Sequence, residues 1–159
     1  MFDQINGLPV HALVLHAAVI FVPLLAVGAV VYGLVPRWRP KIGWAVVLLA
    51  IAAPVTSLVA RQSGVALFDR LKAQNSVSPA GQRIIEDHMG YGTLTLVFSL
   101  ILGIVSLIMV FATLRRPDHR LPRMADLGLA AVMVVLAALS GYYVFQTGDS
   151  GATAVWGTY

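Results

Sequence analysis

Residues 8–25 read LPVHALVLHAAVIFVPLL, and this stretch decides the fold. Apart from His11 and His16 it is apolar, and the apolar character continues to about Val35, where PRWRPK ends it. A hydrocarbon core of about 30 Å is crossed by about 20 helical residues. The run is therefore long enough to span a membrane. Three further runs qualify, at about 42–60, 88–114 and 127–147, ended by RQSG, RRPDHRLPR and GDSG. The leader MFDQING carries Asp3 and no Lys or Arg, and the first run is too long for the core of a signal peptide, so it reads as a retained helix.

Composition agrees. Of 159 residues 58% are hydrophobic and 11% charged, where a soluble domain carries about 25% charged residues. The mean hydropathy is +0.83. A soluble core cannot hide that much apolar surface, whereas lipid can. The reading is an all-α, four-helix transmembrane bundle forming a single domain over residues 1–159. The chain has no cysteine, so disulfides, thiolate catalysis and Cys-based metal sites are excluded.

Loop charge gives the direction. The first connection holds Arg37, Arg39 and Lys41 with no acid, and the third holds Arg115, Arg116, Arg120 and Arg123. Short basic loops belong in the cytoplasm, which places both termini and the second connection outside. A bacterial cytoplasmic (inner) membrane is the expected location. The net charge of +4 is explained by these loops, so nucleic acid is not an expected partner. Trp38 and Trp44 at one boundary, and Tyr142, Tyr143 and Trp156 toward the other, fit interfacial anchors.

The longer second connection, Arg61–Asp87, holds ALFDRLKAQN, whose Leu67, Phe68 and Leu71 share one helical face. A short helix on the headgroups, or a partner surface, is expected there. Ser78 and Pro79 read as the N-cap and first position of a following helix. Pro23 and Pro54 lie inside spans, which membrane helices tolerate. Gly28, Gly33, Gly90, Gly92 and Gly103 suit close helix packing, or space for a cofactor.

The polar chemistry gathers at one end. Counted at 1.5 Å per residue from the inner helix ends, His11 lies about 36 Å up, His16 about 28 Å, His88 about 39 Å and Asp149 about 33 Å. His11 and His16 are five apart, about 140° around a helix, so the first helix cannot clamp a centre alone. Partners must come from other helices. Three readings compete: a transition-metal ion (zinc, copper, iron or nickel) on His11, His16, His88 and Asp149; a b-type haem between a first-span histidine and His88; or interfacial histidines that hydrogen-bond helix ends and headgroups. His119, in RRPDHRLPR, reads as a solvated loop residue on the other side. GDSG at Gly148–Gly151 matches a serine-protease motif but follows a transmembrane helix, so it reads as a helix C-terminal glycine with polar turn residues. No enzyme activity is indicated.

Taken in order, NGLPVHALVLHAAV, RWRPKIGW, RQSG, HMGYG and GDSGATAVWG resemble the bacterial membrane family catalogued as domain of unknown function 2231. The resemblance covers almost the whole chain. It implies a four-helix membrane domain with no settled activity, which in some bacterial proteins is fused to a Rieske-type iron–sulfur domain. It thereby implies proximity to electron transfer. The matching positions are His11, His16 and His88. Members often carry a histidine where this chain has Asp149.

The expectation is thus a membrane electron-transfer or metal- or haem-binding protein, with His16 and His88 as first ligands, then His11 and Asp149. Respiratory or redox membrane proteins are the expected partners. The alternative is a non-catalytic accessory subunit packed against a larger membrane complex. A small transporter is disfavoured because no span carries a mid-membrane acid or base.

Overall fold

The computed structural model describes residues 4–5, 8–114 and 121–157. Arg115, Arg116, His119 and Arg120, including the loop reading of His119, fall outside the described residues. Two short strands, β1 (Gln4–Ile5) and β2 (Leu8–Pro9), pair antiparallel ahead of the first helix. Four helices follow: α1 (Val10–Leu34), α2 (Arg39–Ala73), α3 (Pro79–Leu114) and α4 (Arg123–Trp156). A single 3-10 turn, Pro36–Trp38, joins α1 to α2. All four helices are long and apolar enough to cross a membrane.

The helices run up and down around a ring, each packed on its sequence neighbours, with α4 closing on α1. Across the diagonals α1 still touches α3, whereas α2 and α4 barely meet. The interior is built from small and medium side chains: Val22, Leu25, Ala29, Ala53, Leu102, Met109 and Met133 are buried, with Ser99, Ser106 and Ser140 among them. Large apolar side chains such as Ile20, Val27, Leu48, Ile108 and Phe111 point outward. That inversion suits lipid, where packing of small residues rather than expulsion of water brings helices together.

Two contacts fix the packing. Pro54 has no N–H, which leaves the carbonyl of Ala50, one turn earlier, without its helical donor. That oxygen faces Gly103 of α3 so closely that a Cβ there would lie 2.6 Å from it. The glycine lets α2 and α3 approach backbone to backbone, the geometry in which a Cα–H meets a carbonyl. Gly33 makes a looser version against Ala130, at 3.3 Å. By contrast, Gly90 meets nothing within 4 Å.

At the loop-arginine end, Arg39 donates to both carboxylate oxygens of Asp126, at 2.8 and 3.2 Å, and to the carbonyls of Tyr32 and Gly33. One guanidinium thus joins the C-terminus of α1, the start of α2 and the first turn of α4. Both charges complement the helix ends they touch. Tyr32 beside it is fully buried and shares a 2.7 Å hydrogen bond with Thr113 of α3.

The helices outrun the runs read from the sequence. At 35 residues α2 is about 52 Å long, well beyond the hydrocarbon core. The expected separate surface helix at ALFDRLKAQN is instead the continuation of α2 through RQSG, and its apolar face turns into the bundle, with Phe68 buried. Only residues 74–78 connect α2 to α3. Asn75 takes the left-handed conformation there (φ 51°), and the Ser78 hydroxyl accepts from the Gly81 N–H, the cap expected of it. GDSG is likewise no turn: α4 runs through it to Trp156.

Candidate functional site

The His11 ring, on α1, reaches across to α2. Its Nδ1 lies 2.9 Å from the carbonyl of Ala60 and 3.3 Å from the Ser63 hydroxyl. A carbonyl only accepts, so Nδ1 carries the proton. The Ser63 hydroxyl donates to the same Ala60 carbonyl at 2.9 Å, leaving a lone pair toward the imidazole. His88, on α3, repeats the arrangement with α4. Its Nδ1 lies 3.1 Å from the Ser150 hydroxyl, which donates to the Gln146 carbonyl at 2.7 Å. In the neutral form of each ring Nδ1 is then the donor and Nε2 holds the lone pair. No side-chain hydrogen bond among the described residues uses either Nε2.

Each ring also lies against a glycine. A Cβ on Gly64 would stand 3.1 Å from Cε1 of His11, and one on Gly151 would stand 2.9 Å from Cε1 of His88. The two helical hairpins, α1–α2 and α3–α4, thus carry the same device: a histidine on the first helix, held by a Ser-Gly pair on the second. The two devices meet across the α1–α3 diagonal, with ring centroids 6.2 Å apart and planes at 89°.

Both rings open into a cavity of about 490 Å³, within the range of small-molecule and cofactor sites. Its walls are mostly apolar, and Gly64, Gly92, Gly148 and Gly151 line it. Leu67, Phe68 and Ile85, on the extended α2–α3 hairpin, line it further toward residues 74–78. Among the described residues Arg61 is the only lining side chain with a permanent charge, and its Nε donates to Thr93 of α3 at 3.0 Å.

The other candidate residues are not part of this arrangement. His16 is exposed and bonds the Ala12 carbonyl of its own helix at 2.8 Å. Asp149 is also exposed, and neither residue lines the cavity. The structure brings the His11 and His88 rings together and leaves His16, the other candidate on the first span, apart from them. No group of three or more His, Asp or Glu side chains among the described residues could hold a metal ion. The Ser-Gly pairs were missed because both read as chain breaks. Their recurrence, each about 24–27 residues after the start of its helix, was the available signal.

A family model described as a predicted membrane protein, DUF2231, matches residues 7–158. The chain belongs to that family of integral membrane proteins. Among curated proteins and solved structures there is no significant match.

Proposed function

We propose that the protein is a membrane electron-transfer protein that holds one b-type haem between His11 and His88, at the end of the bundle expected to face outward. The spacing of the two rings carries the reading. With metal–imidazole bonds of about 2.0–2.1 Å, His11 and His88 would hold one iron between them if their ring centroids stood roughly 6 Å apart. The centroids stand at 6.2 Å. Both Nδ1 atoms are tied back to serine or carbonyl oxygens, the outer-shell arrangement that orients a ligating histidine and raises its basicity.

The donor set favours haem over a bare ion. A zinc or copper site takes three or four protein ligands, and only two converge here. Haem brings four nitrogens of its own and asks the protein for two. When bound, it supplies one-electron chemistry at iron, with a potential tuned by axial ligands, their hydrogen bonds and burial. The chain's own part is to hold two neutral imidazoles in one tautomer, to exclude water with apolar walls, and to leave room at glycines.

Purification in mild detergent, with haemin added to the folded protein, tests this. A Soret band of six-coordinate low-spin type is expected, lost in His11→Ala and in His88→Ala but kept in His16→Ala. Folded protein that takes up no haemin refutes the proposal. Stoichiometric metal without a Soret band restores the ion reading.

A further inference from the structure

Arg61 is exposed at the mouth of the cavity, and no side chain among the described residues pairs with its charge. It lines the cavity at the level of the histidines, one residue beyond the Ala60 carbonyl that His11 bonds. Its Nε is used by Thr93, and no carboxylate among the described residues lies within 4.0 Å of it. Its terminal nitrogens make no hydrogen bond among those residues. The α4 wall, opposite, presents only uncharged residues such as Thr147, Gly148, Gly151 and Val155.

The asymmetry has a consequence for a flat group gripped on its faces by α1 and α3. Its edges meet α2 and α4, the diagonal pair that barely touch. Of those two edges only the α2 side offers a cation among the described residues. Counted from Trp44, an expected interfacial residue, Arg61 lies about 26 Å along α2, so that side opens at a bilayer boundary. A tetrapyrrole of the b type carries two carboxylates. A guanidinium pairs with such groups by charge-assisted, bidentate hydrogen bonds.

We infer that Arg61 is the binding residue for the carboxylate side chains of the bound tetrapyrrole, which leave the cavity beside α2 and α3. This rests on the proposed histidine-held centre and adds its orientation. The interaction requires a carboxylate on the ligand; the histidine bonds do not.

The test compares haemin with haemin dimethyl ester, titrated into the full-length apoprotein in uncharged detergent and read by the Soret band. The wild-type protein is expected to favour the diacid on the order of tenfold. In Arg61→Gln that preference disappears, while the ester binds as in wild type and the six-coordinate spectrum remains. Arg61→Lys keeps part of the preference, which separates loss of charge from misfolding. An undiminished preference in Arg61→Gln overturns the assignment of Arg61. Wild-type protein that binds neither compound overturns the parent reading and this one with it. Equal wild-type binding of both compounds overturns only the role of Arg61.

Discussion

Replacing Gly151 by alanine tests the site through a single methyl group. The new Cβ would stand 2.9 Å from Cε1 and 3.2 Å from Nδ1 of His88. Carbon atoms rest about 3.5–4.0 Å apart, so the ring must retreat by about 0.6–1.1 Å. The neighbour is an imidazole held by a 3.1 Å bond to Ser150, the residue adjacent to the new methyl. A retreat of that size breaks the bond or tilts the ring away from His11. Binding sites tolerate displacements of only about 0.5 Å, and loss of an outer-shell partner weakens metal affinity by about 10–100-fold. The expected result is a loss of haemin affinity in that range. The stability of the apoprotein itself should change by no more than about 1 kcal/mol, because the helix-propensity gain of Gly-to-Ala offsets the loss of one hydrogen bond. Gly64→Ala, at 3.1 Å from His11, should show the same effect more weakly. Haemin titration and thermal unfolding of the apoprotein, run on both variants, read the two quantities separately. Wild-type affinity in Gly151→Ala refutes the reasoning, and so does a loss of apoprotein stability that accounts for the weaker binding.

Gly103→Ala pushes a methyl to 2.6 Å from the Ala50 carbonyl, and should cost about 1–3 kcal/mol in unfolding from detergent, while Gly141→Ala, with nothing within 4 Å, should cost nothing. Equal stabilities for the two would deny the close approach of α2 and α3. Arg39→Gln should cost about 1.5–3 kcal/mol, since it removes charge-assisted bonds that are largely shielded from solvent. A double-mutant cycle with Asp126→Asn should return a coupling of similar sign, and no coupling would show that the pair does not join α2 to α4. Because the chain has no cysteine, single cysteines report direction cleanly. Gln74→Cys should react with an impermeant maleimide on spheroplasts, and Lys41→Cys only after permeabilisation; the reverse pattern would invert the orientation drawn from the loop charges.

The four spans were legible because lipid leaves a plain signature: long apolar runs between basic loops. The Ser78–Pro79 helix start was legible because capping is local chemistry. The continuity of α2 and α4 was not. Ser-Gly pairs ordinarily mark turns, but here each serine hydroxyl bonds back to a carbonyl three or four residues earlier and each glycine is filled by an imidazole from the neighbouring helix. The choice between His11 and His16 was half legible. Their 140° separation lets both flank an inward direction, each about 70° off it, and so does not choose between them. The depth estimates for His11 and His88, about 36 and 39 Å, match better than that for His16, about 28 Å. Sequence alone does not say which side of α1 meets α3, because that depends on how all four helices close into a ring.

The candidate site is divided between two halves that each orient one histidine. His11 is oriented within the α1–α2 hairpin and His88 within the α3–α4 hairpin. Neither hairpin sets the distance between the rings. That distance depends on how the hairpins dock, and the contacts that fix docking lie elsewhere: Gly103 against Ala50 between α2 and α3, Gly33 against Ala130 between α1 and α4, and Tyr32 with Thr113 at the far end. Orientation and spacing are therefore controlled by different residues. Damage to a Ser-Gly pair should alter the ligand bond while leaving the bundle intact, whereas damage to a docking contact should lower stability and loosen both rings together. A group that bonds both rings would also tie the two hairpins across the α1–α3 diagonal, so its binding energy would add to the stability of the docked bundle by mass action. The cavity lies at the end away from Arg39 and Asp126, so on the proposed function one end of the bundle is closed by its own side chains and the other by the bound group.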